Sequence, residues 1–321
     1  MEKFPIGTVF NNRYKIVATY KIESGCIIYR AEDIRFIGST WFLYQIDISE
    51  NLNSHSYINN LFSVFSFLSK VIYDKVGKIV DYFLERGYLI VVCEELHGTL
   101  LSEIIYSSNP TVIKGIKLAL QLLEIVKFLY EKNIINFIDL NPENIIVDKQ
   151  GVVKIISFSI PKIPAIVTEK GVEENKYIGT FGYVPPEMLD DDKNTINQSS
   201  YIYIISAIVY EYFTKLSPYY REDPFFFPPP SSLSPIIPNQ LSSLLEKCLS
   251  YNQNNRIKTF KEFEKKLQSI LKYETEYEES IRPNLFLNIL KNKAFFVIAI
   301  IIFIQLLFFV ILLIYYFLFL L

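Results

Sequence analysis

The sequence predicts an α+β fold in two lobes, the first rich in strands and the second in helices, followed by one membrane-spanning helix. Three observations predict it. The first hundred residues contain runs dense in β-branched and aromatic side chains, among them "RYKIVATYKIESGCIIYRAED" and "WFLYQIDI". Beyond Gly98 the period changes: Ile113, Ile116, Leu120, Leu123, Val126 and Leu129 recur at spacings of three and four, as on one face of a helix. Ala294 to Leu321 is a stretch of 28 residues without a charge.

Taken in order, Arg13 to Asp33 and Trp41 to Ile48 read as strands, and about Ser56 to Ser69 as a helix. "KIVDYFLERGYLIVVCEEL" reads as a hairpin turning at Glu85-Arg86-Gly87. The long helix beginning near Thr111 opens the second lobe. Further helices are expected at "YIYIISAIVYEYFT", "QLSSLLEKCLS" and "TFKEFEKKLQSIL". Between the first two of these, "SPYYREDPFFFPPPSSLSPIIPN" carries prolines that forbid regular helix over most of its length, so it reads as an irregular connection packed by its own aromatics. The expected organisation is a first lobe at 1–97, a second at 98–272, a juxtamembrane linker at 273–293 and a transmembrane helix at 294–321.

As a helix, 294–321 would run roughly 42 Å, enough to cross a hydrocarbon core of about 30 Å with some tilt. A helix apolar on every face has no way to hide inside a domain of this size, whereas lipid satisfies all of it. Arg282, Lys291 and Lys293 precede the span, so the positive-inside tendency places the large domain in the cytoplasm of a tail-anchored, single-pass membrane protein. Composition excludes several functions. A formal net charge of -2 makes no electrostatic case for nucleic acid. The three cysteines, Cys26, Cys93 and Cys248, lie far apart without metal-ligand spacing, so neither a disulfide framework nor a metal site is expected. With only His55 and His97, a Ser-His-Asp arrangement has little to draw on.

Five motifs narrow the reading. They are "RYKIVATYKIESGCIIYRAED", "DLNPENIIV", "VVKIISFSI", "GTFGYVPPEML" and "YNQNNRIKTFKEF", in that order. Over about Arg13 to Leu271 the chain resembles the protein kinase family, serine/threonine type, which implies a bilobal protein-kinase-like fold. The resemblance assigns Asp139 to the catalytic-base position and Asn144 to that of a magnesium ligand. It pairs Glu187 with Arg256, and it makes Phe137 and Phe158 packing residues beneath the cleft.

The same resemblance marks what is missing. The three glycines of the phosphate loop fall on Lys21, Glu23 and Cys26. The phosphate-holding lysine falls on Tyr44 or Gln45, and no lysine occurs from Ile22 to Ser69. Its usual glutamate partner is absent, because no glutamate lies between Glu50 and Glu85. The lysine of the catalytic loop is Asn141, the metal-binding aspartate is Ser157, and the aspartate that braces the loop is Tyr201. Groups for scaffold and packing are kept, and groups for phosphate, metal and proton chemistry become neutral or apolar. Expected from this pattern is a degenerate member resembling a pseudokinase, with no cofactor, a membrane and an unknown protein as partners, and an Asx-type structural role for Asp139 and Asn144. The alternative is a weak or unconventional serine/threonine kinase using Asp139 as base with ATP and magnesium, which needs a replacement cation.

Overall fold

The computed structural model describes residues 1–23, 25–172, 178–189, 196–291 and 293–319. It divides into two units, Met1–Gln268 and Ser269–Leu321.

In the first unit, strands β1 (Val9–Phe10), β2 (Tyr14–Glu23), β3 (Cys26–Asp33), β4 (Thr40–Asp47), β5 (Ile79–Glu85) and β6 (Tyr88–Glu94) form a six-stranded sheet in the order β1-β2-β3-β4-β6-β5. All its pairings are antiparallel. The β5–β6 hairpin turns where the sequence places it: Arg86 and Gly87 both take positive φ, 55° and 81°, the geometry whose twist matches the flanking strands. One face of the sheet is packed by Phe4, Phe10, Tyr14, Ile16, Tyr29 and Leu43. Helix α1 (His55–Leu68) starts at Ser54, whose hydroxyl accepts from the Tyr57 amide.

The helical part begins with α2 (Leu101–Ser107) and α3 (Val112–Glu131), the latter capped by Thr111. The buried face of α3 is wider than the periodicity predicts: Leu118, Ala119, Leu122 and Ile125 are buried as well, while Ile113 and Leu120 are only half-buried. The reason lies in its neighbour α4 (Gln198–Thr214), buried at every position from Ser199 to Phe213. A side chain at Gly115 would meet the Phe213 ring at 2.2 Å, so the small residue lets the two helices approach closely. A second sheet, β7 (Thr99–Leu100), β8 (Ile145–Val147) and β9 (Val153–Ile155), flanks the loop 136–144, and a pair, β10 (Val167–Thr168) with β11 (Gly171–Val172), packs against α1. The proline-rich connection holds a 3₁₀ turn at Pro218–Tyr220 and a one-turn helix, α5 (Pro230–Leu233), and is packed by Phe227 edge-on to Tyr203 and Tyr210.

Helix α6 (Asn239–Cys248) precedes α7 (Phe260–Lys291), which is longer than the sequence predicts and makes the expected linker helical as far as Lys291. Two features within 272–277 suit helix: a Lys272–Glu276 ion pair one turn apart and stacked Tyr273 and Tyr277 rings. Helix α8 (Lys293–Phe319) contains an apolar span, Val297–Phe319, 23 residues of mean hydropathy 3.4. At roughly 35 Å it is long and apolar enough to cross a bilayer. Leu320 and Leu321, the last residues of the expected span, lie outside the described residues.

Candidate functional site

Strands β3 and β4 pair with Ile28 opposite Tyr44, so these side chains share one face of the sheet. That face roofs a cavity of 540 Å³ whose floor is the loop from Asp139 to Asn144 and the segment from Ile156 to Lys162. The pleat sends Gln45 to the opposite face, where it is fully buried, accepts from the Tyr29 hydroxyl at 2.8 Å and donates to the Glu2 carbonyl at 2.8 Å. Of the two candidates for the missing lysine, Tyr44 therefore faces the cavity.

The Tyr44 hydroxyl lies 3.1 Å from Ser157 Oγ. Ser157 donates its own proton to the Phe158 carbonyl at 2.9 Å, so Tyr44 is the donor between them. Burial pushes the Tyr44 phenol far above its ordinary value, against the smaller lowering by Ser157, and the group is neutral at physiological pH. Here a neutral hydrogen bond spans strand and loop.

Asp139 is buried, with its amide donating to Ser159 Oγ at 2.6 Å. Its Oδ2 accepts from Lys162 Nζ at 2.5 Å and from the Thr180 hydroxyl at 2.7 Å. The other oxygen, Oδ1, is buried without a hydrogen-bond partner among the described residues. Asn141 behaves as an Asx cap: Oδ1 accepts from the amides of Glu143 and Asn144, and Nδ2 donates to Thr180 at 3.0 Å. Asn144 turns its amide group to the Asp139 carbonyl at 3.0 Å. The loop thus holds its own shape. Beneath it, Phe137 and Phe158 are buried, and Tyr201 donates to Asn136 Oδ1 at 3.3 Å.

At the mouth, Lys21 pairs with Glu23 at 2.7 Å and reaches Glu143 at 3.6 Å. Burial alone would lower the Lys21 ammonium, but those two carboxylates carry it above its ordinary value. Cys26 is fully buried, and desolvation, with Glu23 adding, pushes its thiol up to about 12, so it offers no thiolate. On the same face as Tyr44, two residues along β4, Phe42 packs its ring 4.7 Å from that of Tyr20. Helix α1 has no acid to offer and is tied to the segment beyond Ser159 by neutral bonds: Tyr57 to the Pro164 carbonyl, Asn60 to those of Thr168 and Glu169.

Away from the cavity, Glu187 and Arg256 form a two-pronged pair at 2.6 and 3.0 Å. Sequence reasoning missed Lys162 and Thr180. Lys162 is the only cation between Lys154 and Lys170, a signal that becomes meaningful only once the 3₁₀ turn at Ile160–Ile166 brings it back to Asp139. Among the described residues, no three His, Cys, Asp or Glu side chains gather as a metal site would need.

The protein kinase domain family matches residues 45–274. A probable serine/threonine-protein kinase of Clostridium acetobutylicum is 24% identical over 281 residues, covering 83% of this chain and 41% of that protein. The serine/threonine-protein kinase PknB of Mycolicibacterium smegmatis is 26% identical over 182 residues, covering 53% of this chain and 28% of that protein. The chain therefore spans less than half the length of these relatives. Among solved structures, the kinase domain of Mycobacterium tuberculosis PknI superposes with a TM-score of 0.61 at 14% identity, covering 83% of this chain and 99% of that one. The bilobal fold is thus that of protein kinases.

Proposed function

The chain belongs to the protein kinase family, and from that membership we propose a membrane-attached pseudokinase: a kinase-like domain that does not transfer phosphate and acts by binding other proteins. One observation carries the reading. Where the family places a lysine and a metal-binding carboxylate, this chain has Tyr44 donating to Ser157. Phosphoryl transfer is mostly positioning and charge neutralisation, and a hard divalent ion on phosphates relies on carboxylate oxygen. Ser157 is neutral with its proton already committed, Asp139 Oδ2 is engaged by Lys162 and Thr180, and Glu23 sets a negative charge at the mouth. These residues do not fit magnesium-ATP. Attachment rests on the apolar span 297–319, and the basic residues Arg282, Lys291 and Lys293 before it favour a cytoplasmic domain.

A second reading, a weak kinase, is favoured by a single observation: Lys21 and Lys162 both line the cavity and could stand in for the missing lysine. Labelled ATP decides between the two. The full chain in lipid nanodiscs is expected to transfer no phosphate to itself or to a generic protein substrate. Transfer abolished by Asp139→Ala overturns the pseudokinase reading. Thermal unfolding gives a second readout: ligand at 100 times its Kd would stabilise by about 2.7 kcal/mol, and no metal-dependent shift is expected.

A further inference from the structure

The loop between β3 and β4 is a tightly bonded turn that displays apolar side chains outward. Asp33, buried at its base, holds it from inside: Oδ1 accepts from the amides of Arg35 at 2.9 Å and Phe36 at 3.2 Å, and Oδ2 accepts from Arg13 Nε at 2.9 Å and the Trp41 indole at 3.3 Å. The Asp33 amide donates to the Ser39 carbonyl and the Ser39 amide to that of Phe36, with Gly38 at φ +90° closing the turn. With these bonds closed inside the turn, its side chains face solvent: Ile37 is 100% exposed, Phe36 60% and Ile34 50%. Apolar surface of this kind, gathered within one turn, marks an interaction site.

The size and charge of this tip choose its occupant. A stable protein interface draws on about 20–30 residues a side, whereas the exposed run here is 34–38. A bilayer interface accepts so small a tip, because apolar side chains enter the acyl boundary singly while a neighbouring cation stays at the headgroups. Arg35 is exposed and forms no ion pair among the described residues, whereas Arg13 is held by Asp33, Arg30 is held by Glu95, and Lys15 stands opposite Glu32 across β2 and β3. The tip therefore sets one uncommitted positive charge among its apolar side chains, the combination that an anionic lipid surface attracts. The apolar span 297–319 supplies the bilayer, and attachment through it makes a second, weak contact intramolecular.

We propose that the tip formed by Ile34, Phe36 and Ile37 inserts into the interface of an anionic bilayer, with Arg35 at the lipid phosphates. The inference rests on the reading of the chain as membrane-attached. The test uses the full chain carrying Ile37→Cys with a nitrobenzoxadiazole label, in vesicles of phosphatidylcholine and phosphatidylserine that bear nitroxides on their acyl chains. Cys26, Cys93 and Cys248 are fully buried, so the introduced thiol is the one labelled. Nitroxide quenching of this label is expected, and none of the same label at Gln150→Cys, exposed in the turn between β8 and β9. Phe36→Ser and Arg35→Glu are each expected to cut the quenching at least about twofold. Both side chains lie on the surface, and the bonds that Asp33 accepts from these two residues come from their backbone amides. Equal quenching at the two labelled positions, or quenching unmoved by both substitutions, overturns the proposal. So does burial by a second copy, read as self-quenching that grows with the ratio of protein to lipid. Failure of the chain to float with vesicles overturns the attachment reading together with this one, whereas a floating chain whose label stays in water overturns this one alone.

Discussion

Two buried carboxylates, Asp139 in the cavity and Glu187 in the helical lobe, each meet a cation, and their surroundings differ in kind. Glu187 holds Arg256 with both oxygens, and Oε1 also accepts from Ser200 and Gln253. The Arg256 side chain is fully buried, and it also donates to the carbonyls of Ser250 and Tyr251. Asp139 meets the flexible end of Lys162, whose side chain is 45% exposed, through one oxygen while the other has no hydrogen-bond partner among the described residues. A planar guanidinium held by four hydrogen bonds fixes geometry, whereas a point charge on a long stem occupies a position it can leave. The first pair is scaffold. The second fills the place where chemistry would occur.

The sharpest way to break this comparison is at Arg256. Arg256→Met strands Glu187 in the interior, and a loss of about 3–5 kcal/mol in denaturant unfolding is expected. A loss below about 1 kcal/mol would deny the pair its scaffold role. Lys162→Met removes a cation already half in water, and Asp139 keeps its hydrogen bond from Thr180, so about 1 kcal/mol is expected from the same measurement. Equal losses at the two sites would erase the distinction.

A third carboxylate sharpens it. Glu211 is buried with hydrogen bonds from Tyr183 at 2.5 Å and Tyr106 at 2.7 Å, and it has no ion-pair partner among the described residues. Burial raises it above its ordinary 4.5, against the lowering by those hydroxyls. The folded chain therefore holds this proton more tightly than the unfolded one. The cost of the charge is absent below 4.5 and grows as pH rises towards the folded value, so acidification through that window stabilises this site. Glu211→Gln is expected to change stability at neutral pH by no more than about 1 kcal/mol and to remove that pH dependence, read as Tm against pH.

Much of the fold was legible along the chain because its signals are local. The hairpin at Arg86-Gly87 follows from the positive φ its turn requires, and α1, expected at about Ser56 to Ser69, forms at His55–Leu68. The breadth of the buried face on α3 was not legible, because it depends on α4 packing over Gly115. In the cavity, the lost groups could be read by type: glycines replaced at Lys21, Glu23 and Cys26, and Ser157 in place of an acid. The choice between Tyr44 and Gln45 could not, since a one-residue register difference sends a side chain to the opposite face.

The amino-acid sequence by itself determined which chemical groups exist in the cleft: a carboxylate at Asp139 with Glu23 and Glu143 towards the mouth, no lysine on the strand and a serine at position 157. Tertiary structure decided what those groups do to one another. Lys162 reaches Asp139 across 23 residues and Tyr44 reaches Ser157 across 113, because a 3₁₀ turn and the sheet register bring them together. Hydrogen bonds and ion pairs act over a few ångströms, and only the folded chain brings residues this far apart in sequence within that distance.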